Sequence, residues 1–168
     1  HTVCFSDDYI KEFKQIMEEG KFPDDPTVYI NIPSITDKNI SPKGCETLFI
    51  MANAPASRKI WDNKTIIDAK NKILNRISKS KIENFMQDVE FIEYITPNTL
   101  EEKYNAPYGS IYGQISHGWE KTFLRPNMKD KNVEGVYYVG GGTHPGGGTP
   151  IVIKSAKIVS DMINSNDE

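Results

Sequence analysis

The sequence predicts an α+β fold in which helices pack on a mostly antiparallel sheet. Residues 27–32 and 47–52 are apolar and rich in β-branched or aromatic side chains, which is typical of strands. Residues 62–79 carry apolar side chains at a period of about 3.6 residues with lysines opposite, which indicates a surface helix lying on a sheet. Candidate strands outnumber candidate helices and alternate with them, and this order favours the α+β class.

A strand and a helix are predicted at the start of the chain. Residues 2–5 are a short apolar strand candidate, and Ser6 after them is suited to cap a helix. Asp7 and Asp8 then lie in the first turn, where the helix dipole stabilises acidic side chains. Gly20 is predicted to end the helix. The apolar side chains of this helix recur at helical spacing: Tyr9, Ile10, Phe13, Ile16 and Met17.

The next three elements supply the predicted core. Residues 27–32 alternate as a strand that ends at Pro33, whereas residues 47–52 are more continuously apolar and predict a strand covered on both faces. The helix over residues 62–79 is expected to turn its isoleucines toward the sheet: Ile66, Ile73 and Ile77. The predicted core also contains apolar strand residues: Val28, Ile30, Leu48, Ile50 and Phe91.

Shorter elements are predicted in the second half of the chain. Residues 82–86 and 99–104 indicate short helical turns. Residues 89–95 predict a strand that ends before Pro97. Residues 108–115 predict a strand interrupted by glycines. The small residues suggest that a ligand or another backbone approaches it closely. The polar, irregular stretch that follows is expected to be a crossing connection.

Composition excludes several classes of protein. The 168 residues suffice for one domain with a core, and a formal charge of −3 with dispersed basic residues argues against nucleic-acid binding. No apolar run approaches the ~18 residues that span a bilayer, and no signal peptide is evident. Cys4 and Cys45 have no zinc-type spacing and are interpreted as reduced thiols of a cytosolic protein. Because the chain begins at His1 and not at methionine, we expect a piece of a longer protein.

The most informative segment runs from Gly135 to Ile163 and predicts a buried strand, a glycine-rich turn and an amphipathic helix. Six glycines lie between positions 140 and 148, so backbone alone can approach a ligand there. The helix that follows points its unpaired N–H groups into the same space, which suits an anion or an electron-rich carbonyl. The alternative is a turn without a ligand, but a plain turn needs only about one or two glycines.

The sequence GGGTHPGGGTPIV of residues 140–152, followed by a Ser-Ala-Lys helix, resembles the C-terminal signature of the phytoene desaturase family. These are flavin-dependent carotenoid desaturases of bacterial and fungal type. Further stretches resemble the family in the same order along the chain: His1–Tyr9, Asp25–Ser34, Ser41–Leu48, and Tyr104-Asn105 with Gly109–Gly113. The resemblance therefore covers essentially the whole chain, and the Thr143–Gly146 turn is its most specific part.

Membership of this family implies a larger enzyme with a Rossmann-type flavin domain and a substrate domain. Residues 1–115 would form part of the substrate domain, and residues 116–168 the C-terminal segment of the FAD-binding domain. The chain has no Gly-x-Gly-x-x-Gly turn near its start, so the chain alone is expected to be inactive and to retain no stoichiometric FAD. The whole enzyme would remove hydrogen from a long isoprenoid chain, in the cytoplasm and at the membrane surface where that substrate dissolves.

The resemblance also implies which residues contact the cofactor. Related flavoenzymes have a carboxylate after the last strand, where this chain has Gly141, so backbone N–H groups are expected to replace it. The helix is expected to begin near Thr149, with Pro150 at its first position, and to aim its positive end at a flavin carbonyl. The implied FAD contacts come from the loop and the start of the helix: Gly140, Gly141, Gly142, Thr143, Gly148, Thr149, Pro150 and Ile151.

Two basic side chains near this loop have open interpretations. His144 is a weak candidate for acid–base catalysis, although a hydrogen-bonding brace explains it equally well, since the cofactor carries out the difficult chemistry. Arg125 could contact a phosphate or close a domain junction, and a solvated arginine is the simpler alternative. His117 receives no role, and no metal site is predicted.

Other functions share parts of this pattern. Polyene isomerases, ketolases, aldehyde-forming oxidases and retinol saturases belong to the same family, and a non-catalytic interaction domain could keep the fold without flavin. A strand at residues 136–139 would lack partner strands in this chain. Such a strand could pair with a second copy, which predicts a homodimer or a rearranged C-terminus.

Overall fold

The computed structural model describes residues 1–80, 89–111 and 125–165. Its internal contacts divide the chain into two compact units, His1–Gly109 and Ser110–Glu168. The described part of the first unit contains three strands and three α-helices in this chain order: β1 (Thr2–Cys4), α1 (Tyr9–Met17), β2 (Val28–Asn31), β3 (Phe49–Ala52), α2 (Asn63–Lys79) and α3 (Pro97–Tyr104). The second unit contains α4 (Thr149–Asn164).

The three strands form one antiparallel sheet in the order β1-β2-β3. Val3 lies opposite Tyr29, and Tyr29 lies opposite Met51, so these side chains share one face. Ile30 and Ile50 are paired on the other face. The sheet and its helices confirm the predicted α+β class with antiparallel strands. The described residues contain more α-helices than strands, so the expected excess of strands was wrong.

Helix α2 covers the face of the sheet that carries Ile30. Val28, Ile30 and Ile77 form a fully buried cluster, and Ile73 packs against it. Ile73 and Ile77 therefore face the sheet as predicted, because residues four apart lie on the same side of a helix. Two further residues of the predicted core pack against the same cluster: Leu48 and Ile50.

A second apolar cluster lies at the start of α2. Phe22, Trp61 and Ala69 are buried together, and Ile66 packs against them with Ala52 of β3. Ile66 therefore helps to fill the core, as expected of a side chain on the apolar stripe of α2. The two clusters are continuous because Ile73 packs against both.

The opposite face of the sheet is open. Phe49 and Met51 of β3 are 55% and 49% exposed, and Val3 of β1 is also exposed. The prediction that residues 47–52 are covered on both faces was therefore wrong. A continuous apolar run indicates that a strand can be covered twice, but it does not show that the same chain supplies both covers.

Helix α1 buries a polar side. Asp8, and not the predicted Ser6, caps the helix, because its Oδ1 accepts a hydrogen bond from the Lys11 N–H at 2.9 Å. Glu12 is 1% exposed and accepts hydrogen bonds from the N–H and the hydroxyl of Thr27, at 2.9 and 2.6 Å. Several apolar side chains that recur along this helix lie on its exposed side: Tyr9, Ile10 and Met17.

An arginine on α2 ties the loop before β2 to the helix. Arg76 is buried and donates from Nε to Asp25 Oδ1 at 2.8 Å, with a second bond from Nη2 to the same carboxylate. Its Nη1 donates to Asp7 Oδ1 at 3.1 Å. The hydrogen bonds from Arg76 hold the pKa of the Asp25 carboxyl below its ordinary value, and the bonds to Asp25 raise the pKa of Arg76.

The described residues bear on two further strand predictions. Residues 89–95 form no strand, and Phe91 is 79% exposed and outside the core. Of the strand predicted at residues 108–115, residues 112–115 lie outside the described residues. The described part begins instead as a 3-10 turn, Pro107–Gly109, in which Tyr108 has a φ of 58°. A strand is stabilised through hydrogen bonds to a neighbouring strand, and alternation in the sequence does not provide that neighbour.

Of the two short helical turns predicted in this region, one is confirmed and the other lies outside the described residues. The helical turns predicted at residues 99–104 are confirmed as α3, which begins at Pro97 after Thr96 accepts a hydrogen bond from the Thr99 N–H at 3.2 Å. The helical turn predicted at residues 82–86 lies outside the described residues.

The second unit does not contain the predicted buried strand at residues 136–139. A single antiparallel bridge joins Lys129 to Tyr137, and Val139 is exposed. The homodimer or rearranged C-terminus that such a strand suggested stays a prediction. Of the crossing connection predicted at residues 117–132, residues 117–124 lie outside the described residues.

Candidate functional site

The glycine-rich loop at residues 140–148 leads directly into α4. Gly148 is the N-cap of this helix with a φ of 106°, Thr149 is the first helical residue and Pro150 the second. The helix therefore begins where the sequence predicts it, with Pro150 one position later than expected. No side chain caps its first turn. Because proline has no N–H, the backbone donors at this end belong to Gly148, Thr149 and Ile151.

A buried serine in α4 holds the beginning of the loop. Ser155 is fully buried, and its Oγ accepts a hydrogen bond from the Gly140 N–H at 2.9 Å. The same hydroxyl donates to the Val152 carbonyl at 2.8 Å. The sequence analysis missed this residue, although a small polar residue on the buried side of an apolar helix was an available signal. Ser155 fixes the distance between the first glycine and the helix.

Two neighbouring residues hold the middle of the loop. Arg125 Nη1 donates to the Gly141 carbonyl at 3.1 Å, and Thr143 Oγ1 donates to the Pro126 carbonyl at 2.6 Å. Thr143 is 3% exposed, whereas Gly142 between the two attachments is exposed. Arg125 is therefore not a freely solvated arginine, and the Thr143 hydroxyl is already committed to the protein.

The glycines of the loop differ in why a side chain would not fit, either through backbone conformation or through lack of space, and Gly142 shows neither restriction. Gly140, Gly146 and Gly148 have φ values of 115°, 122° and 106°, which side chains rarely tolerate. A Cβ at Gly146 would also lie 3.3 Å from Arg125 Cζ. Gly142 has no positive φ, and a Cβ there would meet no described atom within 4 Å. Its missing side chain leaves room beside the exposed backbone, which fits a ligand held by main-chain groups.

His144 is a half-buried residue of the loop and lines an open cleft of about 410 Å³. The cleft is also lined by Met128, Asp130 and Met162. No hydrogen bond to the imidazole is present within the described ranges. The catalytic role and the brace role of His144 both stay predictions.

The acidic group of this cleft is already satisfied. Asp130 accepts hydrogen bonds from the Tyr138 hydroxyl and from the N–H groups of Asn132 and Val133, the latter two at 2.8 and 2.9 Å. These bonds, with the one from Tyr138 the strongest, lower the pKa of the Asp130 carboxyl, and the carboxylate raises the pKa of Tyr138. Asp130 therefore shapes its own turn and is a poor candidate for a proton acceptor.

The described part of the chain has neither a membrane-spanning helix nor a metal-binding cluster. None of the described helices is long and apolar enough to cross a membrane. Across residues 1–80, 89–111 and 125–165, no group of three or more histidine, cysteine or acidic side chains is arranged to hold a metal ion.

The chain is similar over its whole length to proteins named as desaturases. It is 39% identical to the 1-hydroxycarotenoid 3,4-desaturase of Flavobacterium sp. (strain P99-3), with 99% of the chain and 34% of that protein aligned. It is 31% identical to the 4,4'-diapophytoene desaturase (4,4'-diaponeurosporene-forming) of Staphylococcus haemolyticus (strain JCSC1435), over 97% of the chain and 33% of the relative. The protein of the same name from Staphylococcus aureus (strain MRSA252) is 29% identical over 100% of the chain.

The chain spans about a third of the length of these curated relatives. No protein-family model matches it. The relatives nevertheless align from one end of the chain to the other. Their names agree with the resemblance to carotenoid desaturases that the glycine-rich loop suggested. The chain is therefore similar, from one end to the other, to about a third of the length of proteins named as carotenoid desaturases.

Proposed function

We propose that the whole protein is an FAD-dependent carotenoid desaturase of the phytoene or diapophytoene type, which removes hydrogen from a long isoprenoid chain. The observation that carries this proposal is the likeness over 97–100% of the chain to proteins named as desaturases. Polyene isomerases, ketolases, oxidases and retinol saturases are less well supported, because each relative reported above is named a desaturase.

The glycine-rich loop fits a flavin cofactor. Gly142 presents backbone next to open space, and the first turn of α4 has donors that no side chain caps. We assign the cofactor contacts to the loop and this turn: Gly140, Gly141, Gly142, Gly148, Thr149, Pro150 and Ile151. When bound, FAD would supply the acceptor for the hydrogen removed from the substrate. The N–H groups and the positive end of α4 would hold that acceptor in place and stabilise its negative charge.

We propose that the Thr143 side chain supports the loop and does not contact the cofactor. Its hydroxyl donates to the Pro126 carbonyl and the residue is buried, so its contribution would be to support the loop. For His144 we propose the brace and not the catalytic role, in keeping with its half-buried position within the loop.

The rest of the chain would serve the substrate. We propose that residues 1–115 belong to the substrate domain and residues 116–168 to the FAD-binding domain. The division of contacts between Gly109 and Ser110 lies close to this boundary and supports it. Because a long isoprenoid dissolves in lipid, the whole enzyme would work at a membrane surface, bound peripherally.

The test uses the full-length protein with FAD and with isoprenoid substrates of the C30 and C40 classes. We expect a conjugated product whose absorption moves to longer wavelength as each desaturation extends the polyene. Product mass separates the alternatives, since a desaturase removes two hydrogens per step, an isomerase changes no mass, an oxidase or ketolase adds oxygen and a saturase adds hydrogen. A protein that binds no flavin and converts neither substrate would overturn the proposal in favour of a non-catalytic interaction domain.

A further inference from the structure

We propose that Arg125 and Thr143 are positioning residues that aim the Gly142 N–H at the cofactor. This inference rests on the proposed function and extends it to two side chains that would not themselves contact FAD. Arg125 donates to the Gly141 carbonyl, and Thr143 donates to the Pro126 carbonyl, at 3.1 and 2.6 Å. Adjacent residues 125 and 126 thus hold the loop on both sides of Gly142.

The direction of the Gly142 N–H follows from the bond to Gly141. These two residues share one trans peptide unit, in which the C=O and the N–H point in opposite directions. Because Arg125 attracts the Gly141 carbonyl toward itself, the Gly142 N–H must point away from Arg125. Gly142 is exposed, and a Cβ there would meet no described atom within 4 Å. The arginine therefore turns a backbone donor outward.

The planar shape of the guanidinium also contributes. A Cβ at Gly146 would lie 3.3 Å from Arg125 Cζ, 3.4 Å from Nε and 3.5 Å from Nη2, so the flat group lies against the Gly146 backbone. Arg125 therefore contacts both arms of the loop, at Gly141 through a hydrogen bond and at Gly146 through packing. A lysine could keep the hydrogen bond but could not reproduce the flat contact.

The test measures FAD binding by the full-length protein carrying Arg125→Met or Thr143→Val. Each variant should weaken FAD binding about tenfold or more, since a hydrogen bond that orients the donor is lost. The double variant should lose less than the product of the two single losses, because both residues act on the same N–H. The visible circular dichroism of bound flavin should change as well, because it reports the surroundings of the isoalloxazine ring.

Two further variants serve as matched controls. Thr143→Ser keeps the hydroxyl and should recover most of the affinity that Thr143→Val loses. Arg58→Met makes the same chemical change at an exposed arginine paired with Glu101, and it should leave the FAD dissociation constant unchanged.

The outcomes separate this inference from the proposed function. If the unaltered protein binds no FAD, the proposed function fails and this inference fails with it. If the unaltered protein binds FAD, and both variants bind it equally well with the same dichroism spectrum, the positioning role alone is overturned. A purely structural role would lower the melting temperature of the FAD-free protein in proportion to the lost affinity, and that result would also contradict the inference. If Arg125→Met does not fold, Thr143→Val and its serine rescue decide the question.

Discussion

Glu12 shows how a charged residue can be a central part of a small core. It is almost fully buried, yet its carboxylate accepts two hydrogen bonds from Thr27, the residue just before β2. The donors would be left without partners if the carboxylate were removed, and an unsatisfied buried polar group is costly. Glu12 therefore fixes α1 against the entrance to β2 by polar contacts.

Glu12→Leu should destabilise the protein even though it makes the buried side of α1 more apolar. We expect a loss of about 2–4 kcal/mol, because two hydrogen bonds to Thr27 are lost at a buried site. Urea denaturation gives the free energy of unfolding. Glu12→Gln is the matched control, since its amide oxygen can still accept one bond and should retain part of the stability. A leucine variant as stable as the unaltered protein would contradict this account.

Gly142→Ala should separate cofactor binding from folding. The position has no positive φ and no described neighbour within 4 Å of a Cβ, so the FAD-free protein should melt within a few degrees of the unaltered one. FAD binding should weaken, because the new methyl group occupies the space beside the exposed backbone. Gly141→Val, which adds a larger branched side chain in the same loop, should abolish flavin retention. An unchanged dissociation constant for Gly142→Ala would remove Gly142 from the proposed contacts.

His144→Asn should leave flavin bound and most of the turnover intact. Asparagine keeps a hydrogen-bonding group but cannot exchange a proton near neutral pH, so it preserves a brace and removes an acid or base. The measurement is turnover of the full-length enzyme at saturating FAD. Loss of several orders of magnitude with stoichiometric flavin would instead show that His144 is catalytic.

At the scale of elements, the helices were easier to predict than the strands. Helices α2 and α4 have local signals, namely a 3.6-residue stripe, an aspartate cap at Asp62 and a glycine before Thr149. The strands at residues 89–95 and 136–139 were predicted from their local composition and were wrong, because a strand depends on a partner elsewhere in the chain. Local sequence is enough to predict a helix, but a strand also requires a partner strand that local sequence does not reveal.

The contact between α2 and the loop before β2 should make stability depend on pH. The Asp25 carboxyl has a pKa below its ordinary value, chiefly through hydrogen bonds from Arg76. A lowered folded-state pKa stabilises the protein above the unfolded value of about 3.9 and loses that contribution as pH falls through the folded value. Arg76→Met should therefore cost about 1–3 kcal/mol near pH 7.

This cost should shrink as the pH is lowered from about 5 toward 3, because protonated Asp25 no longer benefits from Arg76. Urea denaturation of both proteins across that range measures the difference. Arg58→Met is the control, since its exposed ion pair with Glu101 should contribute less than about 1 kcal/mol. A difference between Arg76→Met and the unaltered protein that stays constant with pH would contradict the assignment to Asp25.

At the scale of the whole molecule, the sequence predicted the fold class and the family better than the site. The glycine-rich loop and the start of α4 were both located from their residues, since glycine and proline act on their own backbone. Ser155 was missed and Arg125 undervalued, because their importance depends on which backbone groups come near them after folding. Such contacts join residues 15–16 positions apart and leave no periodic signal.

The open face of the sheet has a practical consequence for handling the protein. Val3, Phe49 and Met51 present an apolar surface on one side of three paired strands. We expect this chain on its own to bind hydrophobic dyes in its native state and to precipitate as its concentration rises. Met51→Lys should raise the solubility limit and lower dye fluorescence with little change in melting temperature. Ile50→Lys, one residue away but facing α2, should unfold the protein. The same substitution at two adjacent positions would therefore improve the solubility of the chain at one and destroy its fold at the other.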